Sequence, residues 1–383
     1  MWSRLFLSLA LSVPVAGMAQ HTDTLRFRSQ AMDADRLVVV HLPEFHRYAS
    51  EEVRMPVIVV LDGQHEWFVG PVVNDIRYLT FTKELPQCIT VVVPHADRVQ
   101  ECRIPEGDGP EPALLRMLVE ELPGLLEPYH PGGFQLLIGH SFTASFALYA
   151  FAKYPERFPV VLAHTPGNGS DGHLARVKQH VQEDPDRAVY LSVGGPELKK
   201  DKWHHGWNTE ALRKEGLPGD LPNFVFREVP HAAHNAVPIR ATPEFLSHCF
   251  NAFSLRDSLV PVNMYYQLDD PPPPAEELLR QVEEDLAWRG TSIPWELAEI
   301  NGMASRLMTG DHPEQLLAVF QRGVELYPGY WEFHAAVGEL LLESDPAMGR
   351  ASLRRSLALL EEYDRDQPDY AEIKAELEEL LGE

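Results

Sequence analysis

The side chains of this 383-residue chain that can do chemistry together are a serine, an acid and a histidine, in that order. Ser141 stands in Gly139-His140-Ser141-Phe142, after the apolar run 134–138 and before the apolar, helix-compatible run 144–151. A buried strand that turns sharply into a helix exposes a nucleophilic serine oxygen at the sheet edge. The N–H groups of the helix N-terminus then face any negative charge that develops. A serine nucleophile needs a base, and the base needs a group to orient it. The last strand-like run, 224–229, is followed by Pro230-His231-Ala232-Ala233-His234-Asn235-Ala236-Val237-Pro238. His234, just before a helix-compatible stretch, is the expected base, with His231 assisting or lining the loop. The acid is expected just past the run 188–193, as Glu197 with Asp201 the alternative, in a loop that also carries Lys199 and Lys200.

An oxyanion needs two N–H donors. Phe142, the residue after the nucleophile, supplies one. The loop Asp62-Gly63-Gln64-His65 closes an early apolar run, and Gly63 permits close backbone approach there, so the Gln64 N–H is the expected second donor. Arg98, His140 and Trp203 are the candidates for touching a substrate. Arg98 either pairs with an acidic substrate or forms a structural ion pair. Trp203 and Trp207, in the polar insert 198–222, either stack on a sugar or aromatic acyl group or pack as surface indoles. His204 and His205 are adjacent and point apart on most backbones, so no metal site is expected. No organic cofactor is implied either.

Continuous apolar runs at 57–61, 89–93, 134–138, 159–163, 188–193 and 224–229 are typical of strands buried on both faces. Helix-like segments at 113–125, 145–154, 172–182, 209–215 and 243–253 separate them, and a strand pair precedes them in 20–50. This alternation predicts an α/β fold with a mostly parallel central sheet and helices on both faces, in a domain spanning 20–256.

Beyond residue 257 the composition changes. A Pro-rich linker, 257–274, ends in four consecutive prolines and is expected to be stiff. Residues 275–383 show no strand signal and carry 24 acidic against 9 basic side chains. Helices are expected at 275–288, 295–308, 313–327, 331–343, 347–363 and 370–381. This small all-α domain resembles divergent tetratricopeptide repeats, with the right period only over about 294–360. It either docks a protein partner on a concave face or covers the sheet edge. The formal charge of −24 argues against nucleic acid. After the N-terminus no apolar run approaches membrane-span length. Residues 1–19 read as a signal peptide: Arg4, the apolar stretch 5–15, then Ala16-Gly17-Met18-Ala19, with cleavage after Ala19. A secreted or periplasmic location follows. Cys88, Cys102 and Cys249 have no metal-like spacing and are expected to be buried or semi-buried.

The pieces Leu61-Asp62-Gly63-Gln64, Pro94-His95-Ala96-Asp97-Arg98, Gly139-His140-Ser141-Phe142 and His234-Asn235-Ala236-Val237-Pro238 resemble the putative esterase family of α/β-hydrolases. That family includes esterase D, feruloyl esterases and enterochelin-type esterases. The resemblance covers roughly residues 22–255. It implies an α/β-hydrolase fold and ester hydrolysis with Ser141 as nucleophile and His234 as base, on an acyl ester of a small molecule, glycan or siderophore. Where the family usually reads Gly-His-Ser-x-Gly-Gly, this chain has Thr143-Ala144, and a β-branched residue there can shift the elbow. Where the family often has Gly-Ser after the histidine, this chain has Asn235-Ala236. The competing class is a catalytically weak hydrolase-fold platform whose acidic helices dock a protein.

Overall fold

The computed structural model describes residues 20–107, 109–167, 171–195, 206–250 and 256–382. The expected leader 1–19 lies outside the described residues.

The apolar runs form the interior of one eight-stranded sheet. β3 (Met55–Leu61) and β4 (Ile89–Val93) are buried at every position. β5 (Pro131–His140), β6 (Val160–His164), β7 (Ala188–Gly194) and β8 (Phe224–Val229) complete a parallel set. β1 (Gln20–Ser29) and β2 (Ala34–Pro43) form an antiparallel hairpin, and β2 pairs antiparallel with β4. The order across the sheet is β1-β2-β4-β3-β5-β6-β7-β8. Side chains alternate along each strand, so Ile58 and Val60 enter one apolar core while Val57, Val59 and Leu61 enter another.

Helices α1 (Glu66–Phe81) and α5 (Val237–Cys249) cover the first core. The second takes the helical run 113–126, α2 (Phe142–Lys153) and α3 (Leu174–Glu183). α4 (Gly206–Lys214) lies between β7 and β8 in sequence. Register places His140 beside His164 and Val60 beside Ile138. The loops after β3 and β5 therefore leave the sheet at the same edge, where α/β proteins build their sites. Helix α1 is an addition to the expected elements. Gly70 and Pro71 obscure it, yet Phe68, Val69, Val72, Ile76 and Leu79 are all buried against the sheet. That burial outweighs the one hydrogen bond that Pro71 cannot donate.

The C-terminal segment is helical: α6 (Ala275–Asp285), α7 (Leu297–Leu307), α8 (Pro313–Leu326), α9 (Trp331–Leu341), α10 (Pro346–Tyr363) and α11 (Tyr370–Leu381). α6 stops before the expected 288. Arg289 and Gly290 take positive φ of 45° and 67° and turn the chain into a hairpin, β9 (Ala287–Trp288) with β10 (Thr291–Ser292). The hairpin seats Trp288 against Phe134 and Phe250, with ring centroids 4.7 and 4.9 Å apart. Residues 256–274 contain a helical turn, Arg256–Leu259, and a bridge between Val262 and Leu268. Trp295, Ile300, Met303 and Tyr327 share one continuous core with β3 and β5. Helices α6 to α9 thus pack on the sheet domain, while α10 and α11 bury Leu353, Leu359, Leu360 and Leu377 in a separate cluster with Trp331. Among the described residues, no helix is long and apolar enough to cross a membrane.

Candidate active site

The turn from β5 into α2 holds Ser141 at φ 59°, ψ −115°, a conformation that costs free energy for any residue with a Cβ. The neighbourhood enforces it. The Ser141 N–H donates to His164 O at 2.9 Å, and Ser141 O accepts from Ser145 N at 3.1 Å and Gly167 N at 3.2 Å. Gly139 is needed because a Cβ there would lie 2.3 Å from Thr143 O. The N–H of Phe142, first residue of α2, meets no acceptor among the described residues.

The loop after β3 is drawn just as close to its neighbour. A Cβ on Gly63 would lie 2.7 Å from Pro94 N and 2.8 Å from Val92 Cγ1. The Gln64 amide is held at both ends. Its Nε2 donates to Asp62 Oδ1 at 3.2 Å, and its Oε1 accepts from His95 N at 2.8 Å. Its own N–H meets no acceptor among the described residues. Both expected oxyanion donors are therefore unspent among the described residues.

Asp62 is fully buried with φ 64°. It accepts from Arg98 Nε at 2.5 Å, Arg98 Nη2 at 2.9 Å and Thr143 Oγ1 at 2.6 Å. Burial alone would raise its pKa. The hydrogen bonds and charge of Arg98, with the Thr143 hydroxyl, hold it below the ordinary value instead. Thr143 Oγ1 also accepts from His140 N at 2.8 Å. Rather than displacing the elbow, the β-branched residue braces it.

His140 and Arg98, the expected substrate contacts, point their polar atoms into the protein. His140 is 2 % exposed, and its Nε2–H donates to His234 O at 3.1 Å. Burial, then the neighbouring His234, pushes its pKa down to about 3, so it is neutral at ordinary pH. Arg98 gives Nη2 also to His140 O at 2.6 Å, and its guanidinium lies 5.6 Å from the Phe142 ring. His234 is half-buried in the turn His234–Ala236 before α5, its ring 4.6 Å from that of His140. His231 is exposed, with φ 57°. The fold thus gathers Ser141, Phe142, Gln64, Arg98, His140 and His234 at one sheet edge. Glu197, Asp201 and Trp203 lie outside the described residues.

Three groups at this edge escape sequence reasoning. The first two are the carboxylate of Asp62 and the hydroxyl of Thr143. The third is His164, fully buried, with Nδ1 2.7 Å from Ser192 Oγ and Nε2 3.1 Å from Thr242 Oγ1. It ties α5, and with it the His234 turn, to β6 and β7. The one available signal was Asp62 itself, a charge that directly ends a wholly apolar strand. The exposed rings of Trp67 and Phe142 stand beside the elbow, Trp67 edge-on to His140 at 5.3 Å. Among the described residues no cluster could hold a metal, and all three cysteines are buried and free.

A family model described as Putative esterase matches residues 29–216. Comparison with curated proteins finds no match. Among solved structures, an IroE-like serine hydrolase from Shewanella oneidensis is 17% identical, with a TM-score of 0.57, over 80% of this chain and 99% of the other. An uncharacterised protein from Capnocytophaga ochracea is 14% identical, with a TM-score of 0.56, over 94% of this chain and 100% of the other. At these identities the likeness is one of fold, and the second extends it into the C-terminal helices. The stretch 29–216, which carries the strand–elbow–helix turn, thus matches the putative esterase family on an α/β-hydrolase sheet, and the chain is a carboxylic ester hydrolase.

Proposed function

We propose that the protein cleaves an acyl ester of a small molecule, glycan or siderophore through an acyl-enzyme on Ser141. Ser141 Oγ attacks the ester carbonyl while His234 takes its proton. The oxyanion is held by the N–H groups of Gln64 and Phe142. His234 then protonates the leaving alcohol, and water enters by the same steps in reverse. The acid that orients His234 comes from the loop after β7, as Glu197 or Asp201. His140 sets the His234 backbone, and Arg98 steadies the loops, so neither needs to reach the substrate. The C-terminal helices cover the sheet, supported by the burial of Trp295 and Tyr327 in its core. The leader 1–19 directs the chain to a secreted or periplasmic location.

The observation that carries this reading is the enforced backbone of Ser141, with the Phe142 and Gln64 N–H groups meeting no acceptor among the described residues. The description of the Shewanella neighbour as a serine hydrolase agrees with it. A fluorophosphonate probe on the protein from Gln20 onward, with the adduct located by mass spectrometry, tests it. The adduct is expected on Ser141, absent in Ser141→Ala and lost or greatly slowed in His234→Ala. Well-folded protein that takes no label overturns the reading.

A further inference from the structure

Thr143 stands where two loops of different origin meet. Its hydroxyl has one proton to give, and two acceptors lie within reach: Asp62 Oδ2 at 2.6 Å and His140 O at 2.9 Å. The carboxylate is the stronger acceptor, and His140 O is already served by Arg98 Nη2 at 2.6 Å. The hydroxyl therefore donates to Asp62 and accepts from His140 N at 2.8 Å. It bonds the end of β3 to the end of β5 through a single oxygen. Phe142 immediately precedes Thr143 in the chain. Gln64 lies two residues after Asp62 and is hydrogen-bonded to the same carboxylate through Nε2. Asp62 and Thr143 are both fully buried, so no bulk water can replace a lost partner, and the geometry holds only while each is satisfied.

We infer that Thr143 is a positioning residue, whose hydroxyl, bridging the Asp62–Arg98 ion pair to the β5 backbone, fixes the spacing between the Gln64 and Phe142 N–H groups. This rests on the reading of those two groups as the oxyanion hole. A resting ester needs little from the donors, whereas the tetrahedral oxyanion needs both at hydrogen-bond distance. Loss of the brace therefore acts on kcat and leaves KM nearly in place. The brace holds backbone rather than the base, so the pH profile of kcat/KM keeps its midpoint.

The test compares the wild type with Thr143→Val, which keeps the shape and loses the hydroxyl, and Thr143→Ser, which keeps the hydroxyl and loses a methyl group. The readouts are kcat and KM on p-nitrophenyl acetate, the rate of fluorophosphonate labelling at Ser141, and the thermal midpoint of each protein. Thr143→Val is expected to lower kcat and the labelling rate by roughly 10-fold to 100-fold with KM within about 2-fold, and Thr143→Ser to recover most of both. Should Thr143→Val not fold, Thr143→Ala must show the same fall, and failure of both to fold makes the residue one of stability and overturns the inference. A Thr143→Val enzyme with wild-type kcat, or a rise in KM alone, overturns it too. So does a Thr143→Ser enzyme as impaired as Thr143→Val, because packing of the methyl would then be the cause. If Ser141 of the wild type takes no label, the reading of the site falls first and the brace falls with it. A labelled wild type with an indifferent Thr143→Val removes the brace alone.

Discussion

Ser141, the proposed nucleophile, stands on a strained backbone. A residue held at φ 59°, ψ −115° carries about 1–3 kcal/mol of strain. Ser141→Gly is expected to unfold with about 1 kcal/mol more difficulty than Ser141→Ala, because only glycine is at ease at that φ. Neither variant should turn over substrate. Urea unfolding of the two reads the difference, and equal stabilities would mean the elbow is relaxed. At this scale the sequence is legible wherever chemistry follows from a local pattern. Ser141 lies between strand and helix, His234 after the last strand, and the two proposed N–H donors beside the proposed nucleophile and a glycine. The hub of Asp62, Arg98 and Thr143 is not legible. Positions 62, 98 and 143 become neighbours only when β3, β4 and β5 lie side by side. In the linear sequence Thr143 reads merely as a departure from small residues.

The paired ends of β5 and β6 carry two buried histidines, His140 and His164, whose pKa values burial lowers to about 3 from 6.5. Both are neutral in the folded protein at ordinary pH, while the unfolded chain protonates them below about 6.5. As pH falls from about 6.5 toward 3, the unfolded state therefore binds protons that the folded state refuses. Stability is present above that window and declines through it, at up to about 1.4 kcal/mol per pH unit for each histidine. Urea midpoints between pH 7 and pH 4 should show the decline, and His164→Gln should make it shallower. An unchanged slope in that variant would mean that His164 titrates normally in the fold. The strands that carry these groups are legible as continuous apolar runs, since burial on both faces demands them. Helix α1 is not, because Gly70 and Pro71 argue locally against a helix that packing on the sheet then stabilises.

Across the whole molecule, the sheet and helices α6 to α9 share one core, and Trp295, 1 % exposed, sits within it. Trp295→Ala should cost about 3–5 kcal/mol. It should lower the melting of the sheet and the helices together, seen as one shifted transition by calorimetry. Two separated transitions would mean that the helices fold on their own. The same stitching runs between distant parts of the chain. Gln87 N donates to Glu296, Ser50 N to Leu326 O at 2.8 Å, and Arg47 to Asp364 at 2.8 Å. A nascent chain can pair its first strands soon after they are made, but the seats for Trp295 and Tyr327 stay open until those residues are synthesised. With contacts of such long sequence separation, folding is expected to be slow to complete, because the core beneath the sheet stays open until those residues arrive. The interval before the helices arrive, rather than the finished protein, is when the chain most needs protection from aggregation.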